Sequence, residues 1–315
     1  MQQTTFLRKN LLLDDLLDKR EQIEDMTFWQ KLNPCSEVSD WQLSVLPDST
    51  NLSRQLISYT DQLQEEGYFQ TAPLIPAAMQ REMLECITTV RKYGFPAIFA
   101  LVYDVFYKAF AYFDAILTRF LGSGYFLVPN FWVYYIEPSD TGKGFEPHRD
   151  AEYADTIRED GLPKVLTLWV TVTEATPLNS CMYMVPKNRD PQYHQAIHDL
   201  ETGATQFALE DIRALPTQAG TLSCWDQYVY HWGSRSSKRA PAPRVSYALY
   251  CQRGDMAAVD STVIDLRKGI DFETRLGLIC KSMYRYSYLN VPSRSTLTDP
   301  LLSFLKGHMA NLTIS

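Results

Sequence analysis

Three side chains in the sequence have the types and spacing to share a metal ion. In Phe145-Glu146-Pro147-His148-Arg149-Asp150 a histidine and an aspartate lie two residues apart. If this segment is a strand end, the period-two alternation of extended chain points both side chains the same way. A third donor must come from elsewhere. His231, in Tyr228-Val229-Tyr230-His231-Trp232-Gly233, ends an apolar, strand-like run that begins at Thr221. Two imidazoles and one carboxylate on one face of Fe(II) leave adjacent coordination positions open, as an enzyme needs in order to hold a bidentate cosubstrate and then O2. Neither a structural zinc site nor a magnesium site requires that arrangement.

Downstream, Pro243-Arg244-Val245-Ser246 opens another strand, so Arg244 and Ser246 share a face. The Arg fork pairs bidentately with a carboxylate and the hydroxyl can donate to the same group, which makes the pair a receptor for the far carboxylate of 2-oxoglutarate. Arg239 and Arg253 compete for this role, but Arg239 lies in a polar loop and Arg253 has no hydroxyl two residues on. His194 and His198, four apart, would share a helix face. Without a carboxylate in a zincin-type pattern they read as a surface helix or a lid that touches substrate. Trp169, between Thr167 and Thr171, either lines a barrel interior or packs in the core. One of Tyr134 and Tyr135 must point inward, and the alternation alone leaves open which.

These residues need elements to position them. Residues from about 5 to 125 read as helical, with apolar positions three and four apart at Met83, Cys86, Ile87 and Val90 and again from Phe106 to Phe120. After Gly122-Ser123-Gly124 the pattern changes to short strands over Phe126 to Ile136, Val165 to Thr173, Met182 to Val185, Thr221 to Trp225 and Val245 to Cys251. Long polar or proline-bearing connections separate them, and the tail from Gly254 returns to helix and irregular chain that could cover the mouth of a barrel. The expected organisation is an N-terminal helical extension over 1–60, a catalytic unit over 61–253 and a C-terminal extension over 254–315 packed on it.

From Glu65 to Arg253 the chain resembles the phytanoyl-CoA dioxygenase-like family of Fe(II)/2-oxoglutarate-dependent oxygenases. The resemblance runs through Glu65-Glu66-Gly67-Tyr68-Phe69, Pro147-His148-Arg149-Asp150, Pro177-Leu178-Asn179-Ser180-Cys181-Met182 with Val185-Pro186, Gly220-Thr221-Leu222, His231-Trp232-Gly233 and Arg244. It implies an α+β fold, a double-stranded β-helix (jelly roll, cupin-like) core backed by N-terminal helices. It also implies hydroxylation of an unactivated C–H bond of a small molecule, with Fe(II), 2-oxoglutarate and O2 consumed to give succinate and CO2. Asp150 follows the hydroxylase pattern, since related halogenases have Gly or Ala there. Two departures bear on the substrate: Asn179-Ser180 and Pro186-Lys187-Asn188-Arg189 stand where the family often has Asn-Gly and Pro-Gly-Ser-His, so no substrate carries over. Desaturation or cyclisation would use the same machinery, and a catalytically silent jelly-roll binding protein is the rival of another class.

Bulk properties narrow the field further. The 315 residues are 45% hydrophobic, enough for a substantial core, and the net charge of −7 comes without a Lys/Arg patch suited to a phosphate backbone. That disfavours nucleic acid as a partner and coenzyme A esters as substrates. No stretch approaches the roughly 20 apolar residues that span a bilayer. The six cysteines are scattered without a CxxC pair, which points away from a zinc site or disulfide framework and toward a reducing cytoplasm.

Overall fold

A computed structural model describes residues 13–44, 53–138, 145–151, 153–193, 207–286, 299–310 and 312. The helical half begins with a 3-10 segment, Leu13–Lys19, then α1 (Arg20–Glu24), α2 (Met26–Leu32) and α3 (Ser53–Glu66). There follow α4 (Ala77–Lys92), α5 (Val105–Lys108) and α6 (Phe110–Leu121). On α4 the apolar spacing noted above buries Met83, Cys86, Ile87 and Val90. Gly122 ends α6 at φ +84°, a backbone state that costs glycine little.

Among the described residues eight strands follow or interleave: β1 (Tyr68–Pro73), β2 (Phe126–Ile136), β3 (Val165–Thr171), β4 (Met182–Val185), β5 (Arg213–Leu215), β6 (Thr221–Asp226), β7 (Tyr230–Gly233) and β8 (Arg244–Gln252). They form a five-stranded sheet ordered β1-β6-β3-β8-β2 and a three-stranded sheet ordered β5-β4-β7. Every pairing is antiparallel, which gives the expected jelly roll backed by helices. The short α7 (Tyr153–Thr156) precedes β3, and α8 (Phe272–Arg285) and α9 (Asp299–Met309) close the chain.

Alternation along the strands separates two interiors. On β8, Val245, Tyr247, Leu249 and Cys251 enter the large core beneath the helices, while Arg244, Ala248, Tyr250 and Gln252 face a cavity between the sheets. On β3, Leu166, Leu168 and Val170 likewise join the helical core while Thr167 and Trp169 face the cavity. The C-terminal α8 is tied to the N-terminal helical half by its Arg275, which is 0% exposed. Its Nη1 donates to Asp104 Oδ1 at 2.6 Å and to the Val102 carbonyl, so the buried charge is paired and hydrogen-bonded.

Two expectations need correction. The stretch from 5 to 125 is not helical throughout, because α3 stops at Gly67 (φ +82°) and β1 then pairs with β6 at the sheet edge. Phe69 and Thr71 favour strand and find a ladder there, which overrides the surrounding helical pattern. Nor is Thr221 to His231 one strand. The chain turns at 227–229, so β6 lies in the larger sheet and β7 in the smaller. Asp226 holds this turn by accepting the N–H groups of Tyr228 and Val229, at 3.0 and 3.1 Å, and the Tyr193 hydroxyl at 2.6 Å. Among the described residues no helix is long and apolar enough to cross a membrane.

Candidate metal centre

His148 and Asp150 do not sit on a strand. His148 makes an isolated antiparallel bridge to His231, with N–H to carbonyl bonds of 3.0 Å in both directions. The Asp150 N–H donates to the Gln227 carbonyl at 2.9 Å. The segment is thus laid along β7 and the β6–β7 turn, and the three side chains converge as the alternation argument requires, by a different backbone route.

The possible ligand atoms of His148, Asp150 and His231 all lie within 4.8 Å of one another. His148 Nδ1 is 2.6 Å from the Glu146 carbonyl, and His231 Nδ1 is 2.9 Å from the Val229 carbonyl. A carbonyl oxygen only accepts, so each ring carries a proton on Nδ1 and presents Nε2 to Asp150. The Nε2 atoms stand 3.4 and 3.6 Å from Asp150 Oδ1. Asp150 Oδ2 is held separately, accepting from Thr167 Oγ1 at 2.7 Å and Trp225 Nε1 at 3.0 Å. One oxygen is anchored and the other is left for a cation.

The electrostatics agree with this division. Burial pushes His231 down to about 4, so it is neutral and able to ligate at pH 7. Burial also pushes the Asp150 carboxyl up, but the facing imidazoles and the Thr167 hydroxyl outweigh it and hold the group below the usual carboxylate range. Two imidazoles and one carboxylate oxygen are a donor set that fits Fe(II).

Arg149, between two of these residues, points the other way. It is 4% exposed. Its Nη2 pairs with Asp190 Oδ2 at 2.6 Å and its Nη1 donates to the Tyr228 carbonyl. The ion pair pins the His148–Asp150 segment to the connection after β4.

The second expected pair lies on the same cavity. Arg244 is 2% exposed and Ser246 0%. Arg244 Nη1 donates to Ser246 Oγ at 2.5 Å, and that oxygen also accepts from Trp169 Nε1 at 3.1 Å. With its lone pairs occupied, the Ser246 hydroxyl has its proton left to donate. Arg244 Nη2 donates to Ser180 Oγ at 3.3 Å, while Nε is buried without a partner. Burial brings the guanidinium down to about 10, still charged at neutral pH.

The cavity is about 920 Å³. Trp132, Tyr134, Phe145, Trp169 and Trp225 line it, as do Met256 to Asp260, Arg285 and Tyr286, whose ring meets Trp132 edge-on at 5.6 Å. Arg285, its side chain 43% exposed, reaches back to Asp260. Tyr134 is the inward tyrosine, 5.3 Å from the Arg244 guanidinium, whereas Tyr135 carries Arg91 over its ring at 3.6 Å. Arg253 is taken up by Asp255 at 2.6 Å and Arg239 is exposed. His308 faces Glu24. His194 and His198 lie outside the described residues.

Thr167, Trp225, Arg149 and Ser180 were not assigned roles from the sequence. The parity of Thr167 with Trp169 was visible there, but the partners of the other three depend on contacts across the fold. Replacing Trp225 by Phe keeps the ring and deletes the Nε1 donor, and should weaken metal affinity by about 10- to 100-fold, as loss of a ligand-orienting group does. Anaerobic titration with Fe(II) measures this, and an unchanged affinity would remove Trp225 from the site.

Residues 91–242 match the family model described as phytanoyl-CoA dioxygenase (PhyH). This is the family that the sequence motifs resemble, and the Fe(II) and 2-oxoglutarate it implies agree with the donor set. Three solved structures share the fold. The non-heme monooxygenase ThoJ is 15% identical, with 80% of this chain and 98% of that chain covered at a TM-score of 0.51. The non-heme alpha ketoglutarate dependent epimerase SnoN from nogalamycin biosynthesis is 17% identical, covering 67% and 85% at 0.50. AviO1 from Streptomyces viridochromogenes is 14% identical, covering 65% and 97% at 0.50. No curated protein matches the chain by sequence.

Proposed function

We propose, from the family match and the ligand geometry together, that this chain is an Fe(II)/2-oxoglutarate-dependent oxygenase that hydroxylates an unactivated C–H bond of a small molecule. The observation that carries the reading is Arg244. Its guanidinium is 2% exposed and paired with no carboxylate among the described residues, yet it lines the cavity that also holds His148, Asp150 and His231. A buried cation without a counter-anion is costly. A dicarboxylate held at both places would supply the missing anion.

Bound iron, 2-oxoglutarate and O2 would supply the oxidising power, ending as succinate and CO2. The chain supplies position. Asp150 and the two Nε2 atoms would hold the metal, while Arg244 and Ser246 would fix the far carboxylate of the cosubstrate. The rings of Trp132, Tyr134 and Phe145 line the cavity. A volume of about 920 Å³ lies within the range of small-molecule sites, roughly 300–1,000 Å³.

Hydroxylation, rather than another outcome, is read from Asp150 occupying the carboxylate position. The fold alone does not choose, since it hosts a monooxygenase and an epimerase alike. The test is incubation with Fe(II), 2-oxoglutarate, O2 and a panel of metabolites. Succinate release coupled to a product that has gained one oxygen atom is the expected result. Loss of two hydrogens or ring closure would move the reading to desaturation or cyclisation. Failure to bind Fe(II) and 2-oxoglutarate anaerobically would favour the silent binding protein.

A further inference from the structure

Ser180 is the one non-glycine residue at positive φ among the described residues, at 74°. An L-residue is strained there and glycine is not. Yet the turn itself does not use the serine side chain. Asn179 builds the turn, its Oδ1 accepting the Thr176 N–H at 2.6 Å and its Nδ2 donating to the Glu174 carbonyl at 2.9 Å. The Ser180 side chain is 0% exposed and its hydroxyl has two partners. It donates to the Ser234 carbonyl and accepts from Arg244 Nη2 at 3.3 Å. A hydroxyl has a single proton, so the Ser234 bond directs the oxygen lone pairs at the guanidinium.

Two serines from different parts of the chain therefore hold the two Nη atoms of one buried arginine: Ser246 at Nη1, Ser180 at Nη2. Strain tolerated at a buried turn beside a binding group is a mark of function. We propose that Ser180 is a positioning residue for the cosubstrate, fixing the plane of Arg244 so that its remaining N–H groups are aimed before the carboxylate arrives. The proposal rests on the reading of Arg244 as the carboxylate receptor. Preorganisation of this kind spares the ligand the cost of ordering the side chain.

The experiment compares Ser180→Gly and Ser180→Ala in the full chain. Affinity for 2-oxoglutarate is measured by calorimetry with Fe(II) under anaerobic conditions, and thermal unfolding is measured without cosubstrate. Both variants lack the hydroxyl, so both should bind about tenfold more weakly, with KM for 2-oxoglutarate rising while kcat changes little. Only alanine keeps the strained φ, so the glycine variant should unfold several degrees above the alanine variant. Affinity would then follow the hydroxyl and stability the backbone. Unchanged affinity in both variants, or loss in alanine alone, overturns the proposal. Arg244→Met serves as the control: if it weakens binding while the Ser180 variants do not, only the Ser180 proposal falls. If it leaves affinity unchanged, the receptor reading falls and the proposal with it.

Discussion

His148→Ala and Asp150→Ala should each lose stoichiometric Fe(II) binding and reduce 2-oxoglutarate turnover by about a thousandfold or more, matching the several kcal/mol that a correctly held metal contributes. The two losses have different structural consequences. Without His148 the cluster keeps an anchored carboxylate and one imidazole, whereas without Asp150 the Trp225 and Thr167 donors also lose their acceptor. Asp150→Ala should therefore lower the unfolding temperature more than His148→Ala does, because it leaves buried polar groups unsatisfied. Succinate release and a ferrous titration on the folded variants check the prediction, and retained substrate-linked turnover in either would remove that residue from the ligand set.

Arg244→Met should have an effect of opposite sign on binding and on stability. Loss of the buried cation facing a carboxylate costs about 2–5 kcal/mol in comparable pairs, a weakening of 2-oxoglutarate binding by roughly 30-fold or more. The cosubstrate-free protein, however, is relieved of a desolvated charge that no acidic residue meets among the described residues, so it should unfold at a higher temperature than the parent. Arg244→Lys should bind with intermediate affinity, since an ammonium cannot offer the planar fork. Calorimetry and thermal melts on the same preparations read both signs. Equal destabilisation and equal affinity loss across the variants would mean that Arg244 is structural.

The sequence was most legible where one local rule decides. The bounds of β2 and β4 are those read from pattern, and β3, β6 and β8 differ by one or two residues at their ends. It was least legible where a contact distant in sequence decides. β1 pairs, among the described residues, only with β6, more than a hundred residues away, and β5 has three residues, too few for a period to show. The facing of Tyr134 was undecidable because β2, FLVPNFWVYYI, is apolar or aromatic at nearly every position, so no polar alternation marks one of its faces. The ligand residues stood out because few chemistries combine His, Asp and His. Their supports, Thr167 and Trp225, did not, because threonine and tryptophan on strands ordinarily need no further reason.

Part of the cavity wall belongs to a different stretch of chain. Met256, Val259 and Asp260 follow β8, and Arg285 and Tyr286 stand at the end of α8, all beyond residue 242, where the family match stops. His148, Asp150 and His231 precede that point, and Arg244 and Ser246 lie just past it on β8, ahead of this wall. The candidate ligands and this part of the wall are therefore written in separable segments, so changes after β8 would alter the wall while leaving His148, Asp150 and His231 in place. A chimera that exchanges only 254–286 with another protein of this fold is the economical route to a new selectivity on an unaltered reaction centre.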